Sequence, residues 1–372
     1  MAFQNKGYIM SIINNLEANI SMIKGNKKKE RVLNAINRIS QDFLPTQIDY
    51  TQEMKENIKK LLNVEEDQID KRLDNNIKYL PLNDKTRIDE EKGIQYDIWG
   101  VGWDQVLTEG FHIRHQPLIN SDNIRKYKFP EPEDKLLTII KEIGKRERGN
   151  YFLLSLQDWT LFERAWLLRG YENILMGLCN NEKEINYLLD GITEFHIEVA
   201  KKIVKLNIID GIFTGSDVGT QRSMVMSPET WRKFFKKRYK KIWGIYKEKN
   251  LSVFHHSCGN IMEIIPDLIE IGLDVLNPIQ PEAMNPEELS KRFGKELTFF
   301  GGISTQNTLP FGTPQEVEKE IVDRIKVLGR NNGYIISPSH EVTSDCKPEN
   351  FLMLVSILDK YKRGEINTCR VY

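Results

Sequence analysis

Residues 251–272 read LSVFHHSCGNIMEIIPDLIEIG. The stretch opens as a short, apolar and partly β-branched run, the composition of a strand buried on both faces. It then turns at Gly259, where a residue without Cβ permits a sharp reversal. A helix is expected from near Asn260, with its first N–H groups directed back toward the strand end. Strand, polar turn and helix thus follow one another within a single short unit, with two histidines and a cysteine at the junction.

The same unit recurs along the second half of the chain. GNYFLLSLQD (149–158), NIIDGIFTGSD (207–217), GLDVLNPIQ (272–280), ELTFFGGIST (296–305) and GYIISPSHE (333–341) are each a short apolar run followed by a polar loop. Helix starts fill the gaps: SPET at 227, NPEE at 285 and TPQE at 313 place an N-cap residue before a proline. Thr313 and Glu316 also have the capping-box spacing. KPEN at 347 keeps the proline but lacks a good cap. After Ser227, Trp231, Phe234, Phe235, Tyr239, Ile242, Ile245 and Tyr246 recur at helical spacing and read as core. Repeated strand–helix alternation predicts parallel strands joined by right-handed crossovers.

Two architectures fit that rhythm, an open doubly wound sheet and a closed (β/α)8 barrel. TGSDVGTQ and GGIST contain glycines but match neither GxGxxG nor the Walker pattern. Polar residues instead mark the ends of many different runs, as at the C-terminal face of a barrel. The expectation is an α/β chain: a (β/α)8 TIM barrel over 91–372, preceded by an N-terminal helical extension over 1–90. In that extension KERVLNAINRIS puts Val32, Leu33, Ile36 and Ile39 on one helical face. YDIWGVGW, at 96–103, reads as strands of a lid or subdomain.

Composition narrows the function. Formal net charge is zero, so attraction to nucleic acid or an anionic membrane is not expected. No apolar run reaches the ~20 residues of a membrane span, and the N-terminus lacks a secretory pattern. The four cysteines are Cys179, Cys258, Cys346 and Cys369, too few and scattered for a disulfide framework. A cytoplasmic setting is the expectation.

The chemistry concentrates at strand ends. His256 and Cys258 are two residues apart, so an extended backbone turns both to one side, away from His255. Imidazole and thiolate are both zinc ligands. Alone, the pair also suits a buried cysteine beside a packed histidine. His340, past the last apolar run, supplies a third ligand at the same face and leaves one position open, the layout of a catalytic zinc site. Cys346 is the alternative third ligand, with a helix start expected to lower its pKa. Gln157, Asp158, Asp217, Gln221, Gln280, Ser304, Thr305 and Gln306 follow other strands and form a possible polar rim. Asp217, on the tight loop GSDVG, is the best acid–base or orienting candidate. Glu163 and Arg164 read as ordinary helix residues.

ERVLNAINR, LFERAWLLRG, GSDVGTQRSMVMSPETWRKFF, FHHSCGNIMEIIPDLIEIGLDVLNPIQ, TFFGGISTQ and ISPSHEVTSDCKPEN, in that order, resemble the uroporphyrinogen decarboxylase superfamily over residues 30–365. The resemblance implies a (β/α)8 barrel with its site at the C-terminal strand ends. The superfamily holds decarboxylases and cobamide-dependent methyltransferases. The chain lacks an arginine-rich motif like RQAGRY, by which the decarboxylases hold substrate carboxylates; FHIRHQPL offers only Arg114. It is similar to the methyltransferases at His-x-Cys-Gly, here His256, Cys258 and Gly259. In those enzymes zinc is held by His, Cys and a later Cys, and His340 stands here near the later position. The resemblance therefore implies methyl transfer between a small substrate and a corrinoid (cobamide) carried by a partner protein, with Zn2+ on His256, Cys258 and His340. From their places at the strand ends, Asp217, His256 and His340 are the expected catalytic residues. Asp158, Asp217, Gln221, Gln280 and Ser304 would contact substrate, and a homodimer is possible. A metal-free carboxy-lyase is the alternative, and a catalytically idle binding barrel a third reading.

Overall fold

The computed structural model describes residues 28–105, 112–121, 123–180 and 182–366. The start of the chain, read above for targeting signals, and Cys369 lie outside the described residues. The strands are β1 Ile77–Pro81, β2 Lys85–Asp89, β3 Ile94–Asp97, β4 Gly102–Asp104, β5 Ile113–His115, β6 Phe152–Gln157, β7 Gly211–Gly215, β8 Ser252–His256, β9 Val275–Ile279, β10 Thr298–Ile303 and β11 Tyr334–Pro338. Every apolar run singled out from residue 149 onward is a strand.

One sheet is seven-stranded, in the order β1-β6-β7-β8-β9-β10-β11. After β1 the order simply follows the chain. A doubly wound sheet reverses direction at a switch point, and this one does not. β6–β7, β7–β8 and β10–β11 pair in parallel. β7, β9 and β11 are buried along their whole length, which explains why their sequences are apolar throughout rather than alternating.

The chain falls into two compact units. One runs to Ile77, takes in Gly149–Tyr151 and resumes at Asn277; the other comprises Lys78–Arg148 and Phe152–Leu276. In the first unit, residues 45–50 form parallel bridges to β11 and beyond it, Thr46 to Ile336 and Tyr50 to Val342. On their other side the Asn76 N–H donates to the Thr46 carbonyl at 3.1 Å, and the Ile77 N–H to Gln47 Oε1 at 3.1 Å. This segment is therefore bonded both to β11 and to the residues leading into β1. The helices here start as their caps require: Asn285 accepts from Glu287 and Glu288, and Thr313 forms a full capping box with Glu316. Lys347 makes no side-chain cap.

In the second unit, Phe152, Phe213 and Phe254 pack from β6, β7 and β8. Trp231, Phe234, Phe235, Tyr239, Ile242, Trp243 and Tyr246 line the buried face of the helical stretch after Ser227. Near YDIWGVGW, β2–β5 form a separate four-stranded antiparallel sheet. The sequence reading made residues up to 90 helical, yet β1 and β2 both lie there and β1 already belongs to the seven-stranded sheet. Ile39, placed on a buried face, is 52% exposed because its helix, Lys28–Ile36, ends before it.

The antiparallel sheet is held by a buried ion pair. Asp97, at the end of β3, bonds Arg164 at 2.8 Å, and both side chains are almost fully buried. Its carboxylate also accepts the N–H groups of Trp99 and Val101 at 2.9 Å. The guanidinium lies over the Trp99 and Trp159 rings at 5.0 and 5.6 Å. Arg164→Ala strands that carboxylate in the interior, a change that costs about 3–5 kcal/mol; the two backbone donors place the expectation at the lower end. A urea midpoint unchanged from wild type would contradict this.

Candidate functional site

His256 closes β8, and the backbone leaves the strand directly after it. Cys258 nevertheless turns its thiol to the same side as His256: Sγ lies 3.4 Å from His256 Nε2. The reversal is at Gly259, φ +82°, where a Cβ would sit 2.4 Å from the Gly219 carbonyl carbon. A Cβ on Gly219 would likewise fall 2.5 Å from the Cys258 oxygen. Two loops thus meet backbone to backbone, and neither position admits a side chain. The helix expected near Asn260 starts at Ile265. The Asn260 N–H bonds the Thr220 carbonyl at 2.7 Å, so it serves the loop and not a ligand.

Asp217, four residues earlier in chain terms of that second loop than Gln221, is brought to the pair. Its Oδ1 accepts the Cys258 N–H at 2.8 Å and lies 3.6 Å from His256 Nε2. Ser216 donates its N–H to the His256 carbonyl at 2.9 Å, and Val218 donates to Ser257 Oγ at 3.1 Å. Asp158, just past β6, joins the same electrostatic group. It keeps a solvent-exposed surface while protein crowds around it, and that desolvation pushes its carboxyl up to about 6, against the charge of His256 and with those of Asp84 and Asp217. Gln221 is exposed on its loop.

The reading of the sequence passed over Glu163. It lies in the first turn of the helix Phe162–Arg169, as expected, but it is buried. Burial first, and then the Asp217 charge, hold its carboxyl well above the usual carboxylate range. The signal for it was positional. This helix begins only a few residues past the end of β6, so its first turn lies beside the strand end and not out on the surface.

Other expectations sort clearly. Gln157 is not a rim residue; it is buried, donating to the Tyr246 hydroxyl at 2.6 Å and meeting His196 Nδ1 at 3.3 Å. Gln280 is buried, and its carbonyl accepts the N–H groups of Ala283 and Met284 at 3.0 Å. Ser304 is engaged by its own turn: Oγ donates to Glu282 and accepts the Asn307 N–H at 2.9 Å. Cys346 is corrected. Burial, then Asp345 and Glu349, push its thiol up to about 12, the reverse of the lowering expected from a helix start. Within one unit His256 Nε2 and Cys258 Sγ are the ligand atoms brought together. His256 and Cys258 are half-buried there and His340 is exposed.

That donor set suits zinc. Ligands about 2.0–2.3 Å from a tetrahedral ion stand roughly 3.5 Å apart, close to the His256–Cys258 separation. His255 is excluded from it. It is buried against the Tyr239 and Trp243 rings, and Nδ1 meets Thr214 Oγ1 at 2.9 Å.

A family model described as Uroporphyrinogen decarboxylase (URO-D) matches residues 99–361. A uroporphyrinogen decarboxylase of Pseudoalteromonas translucida (strain TAC 125) is 20% identical over 264 residues, 66% of this chain and 70% of that protein. A solved structure of a methyltransferase from Methanosarcina mazei is similar with a TM-score of 0.63 and 18% identity, covering 90% of this chain and 98% of the other. At that identity the likeness speaks for the fold alone. Among the described residues no helix is long and apolar enough to cross a membrane.

Burial pushes His255 down to about 3, helped by the His256 charge. The unfolded chain protonates it from about pH 6.5 downward while the folded chain does not, so its contribution is full above that pH and is lost as pH falls toward 3. Asp158, raised in the fold, acts in the opposite sense, so the test is a difference. His255→Gln should reduce the fall in urea midpoint between pH 7.5 and pH 5; an equal fall in both proteins would remove His255 as its source.

Proposed function

The chain belongs to the uroporphyrinogen decarboxylase (URO-D) family, and from that premise we propose that it is a zinc-dependent methyltransferase. It would move a methyl group between a small substrate and a corrinoid carried by a separate protein. The observation that carries this is the Cys258 thiol held 3.4 Å from His256 Nε2 at a strand end, with His340 proposed as the third ligand. Bound there, zinc would supply a Lewis acid toward the sulfur, oxygen or nitrogen of the substrate. We take the fold to be the (β/α)8 barrel, with residues 45–50 in the eighth place.

The chain's own groups have distinct parts in this reading. Asp217 holds the Cys258 peptide through its N–H and faces His256 Nε2, so it fixes the approach of both ligands. Asp158, raised to about 6 with a surface open to solvent, can exchange a proton with water near neutral pH. Gln221 and Gln280 would contact the substrate, with Ser304 acting through the turn it caps. Cytoplasmic location and a homodimer belong to the same proposal.

The alternative is a metal-free carboxy-lyase, favoured by the name of the Pseudoalteromonas relative. A substrate with many carboxylates needs cationic partners. The charges that act most on Asp158 are those of His256, Asp84, Arg164 and Asp217, and Arg164 is paired with Asp97. This acidic setting weighs against such a substrate.

Purified protein should hold about one zinc per chain in a site of this type, with Cys258→Ser and His340→Ala each well below that. Methyl transfer from methylcobalamin to a small thiol, followed by absorbance as the methyl–cobalt bond is lost, should fall with the zinc. Wild-type protein without zinc, or the same metal content in both variants, would defeat the metal site. Metal-free turnover of a porphyrinogen carboxylate would move the assignment to the lyase.

A further inference from the structure

Trp159 has a backbone conformation that bulky residues rarely adopt, φ +53°. Among the described residues the other non-glycine residues with φ above zero are Asn63, Asp74, Asn207, Asn250, Asn332 and Arg38. Asn and Asp tolerate that region because a short polar side chain bonds locally; an indole has no such compensation. The strain lies in a short, pinned segment. Gln157 closes β6, and Thr160 Oγ1 donates to the Gln157 carbonyl at 2.9 Å. The Thr160 N–H donates to the Gly215 carbonyl at 2.8 Å, and the Gly215 N–H donates to Thr160 Oγ1 at 3.2 Å. Asp158 and Trp159 alone stand between these fixed ends. Asp158 Oδ1 lies over Gly215, 3.5 Å from where a Cβ would be, and Gly215 is the ladder partner of His256. The turn thus displays the Asp158 carboxyl one strand away from His256.

The indole is held by the antiparallel sheet. Trp103, on β4, stacks on it with centroids 4.7 Å apart and planes 18° from parallel. Trp103 Nε1 donates to Asp97 Oδ2 at 3.4 Å. Asp97 pairs with Arg164, whose guanidinium lies 5.6 Å from the Trp159 ring. The four side chains close a ring. We propose that Trp103 and Trp159 are positioning residues: their stack clasps the turn 157–160 in its left-handed form, and so fixes where the Asp158 carboxyl stands. With both ends pinned, a change of φ at 159 is taken up at 158, the residue that bears the carboxyl. Glycine would hold this turn without strain. A tryptophan persists there because its surroundings over-determine it, and stacking with cation–π contact supplies that hold. Plain packing is the alternative. Both indoles, however, are only half-buried, and a packed pair needs no left-handed backbone.

The clasp stands whatever the reaction is; that Asp158 exchanges a proton there rests on the function proposed above. Two measurements read the turn without metal or substrate: exchange of the Thr160 and Gly215 amides, and carbodiimide labelling of the Asp158 carboxyl. In Trp103→Ala both should rise about three- to tenfold, the worth of one aromatic pair. Trp103→Phe keeps a ring and should stay near wild type. Trp159→Gly loses the same stack but also the strain, so it too should stay near wild type. Adding Trp103→Ala to it should then change nothing further. A packing role requires the reverse, with Trp159→Gly at least as loose as Trp103→Ala. That result overturns the proposal, as does unchanged exchange and labelling in folded Trp103→Ala. If Trp103→Ala does not fold, Trp103→Leu, apolar but without a π face, decides in its place. Wild-type protein that transfers no methyl group defeats the functional reading, and the exchange data still decide the clasp.

Discussion

Gly219 and Gly259 meet with no side chain between them, and the arrangement of the site depends on that contact. A Cβ at either position would drive into the other loop's backbone at 2.4–2.5 Å. Backbone cannot yield as a flexible side chain can, so the two loops share one separation. Given that separation, Asp217 reaches the Cys258 N–H, Thr220 reaches Asn260, and the thiol turns toward His256 although the strand has ended. The sequence argument for placing His256 and Cys258 on one face assumed a strand running on to Cys258. The same result arises from a turn, held by a neighbouring loop.

What could be read from the sequence was local. Buried strands announce themselves by continuous apolar runs, and the caps at Ser227, Asn285 and Thr313 by a fixed offset between a side-chain oxygen and the N–H groups it accepts. The different fates of His255 and His256 followed from the two-residue period of a strand. His255 entered the aromatic layer of Tyr239 and Trp243, and His256 faced Phe213 and Cys258. In each case the deciding partner is within a few residues, or the period itself decides.

What could not be read depends on partners far along the chain. Residues 45–50 carry no strong strand signal, and their extended form is fixed by bonds to Ile336, Val342 and Asn76. Cys346 sits two residues before Pro348, and a helix-start argument from sequence lowers its pKa. Its burial outweighs that, since desolvating a thiolate costs more than the partial charge of a helix end returns. Gln157 was read as following a strand with the rim residues, but it is the last residue of β6 and its side chain bonds Tyr246 and His196. Glu163 was hidden because a glutamate in a first helical turn is ordinary on a surface, and only the tertiary fold shows that this turn is buried.

The acidity of this region has a consequence for its charge state. Glu163 and Asp217 are neighbours, and two carboxylates so close do not both ionise readily. The more deeply buried of them, Glu163, is the one held above the ordinary range. Asp217 accepts the Cys258 N–H and faces an imidazole. A proton held on Glu163 relieves the repulsion between the two carboxyls. In the function proposed here, these carboxyls lie next to the ligands of a dication. The acidic wall is then an electrostatic complement to the metal, a setting that an apolar or basic wall would not provide.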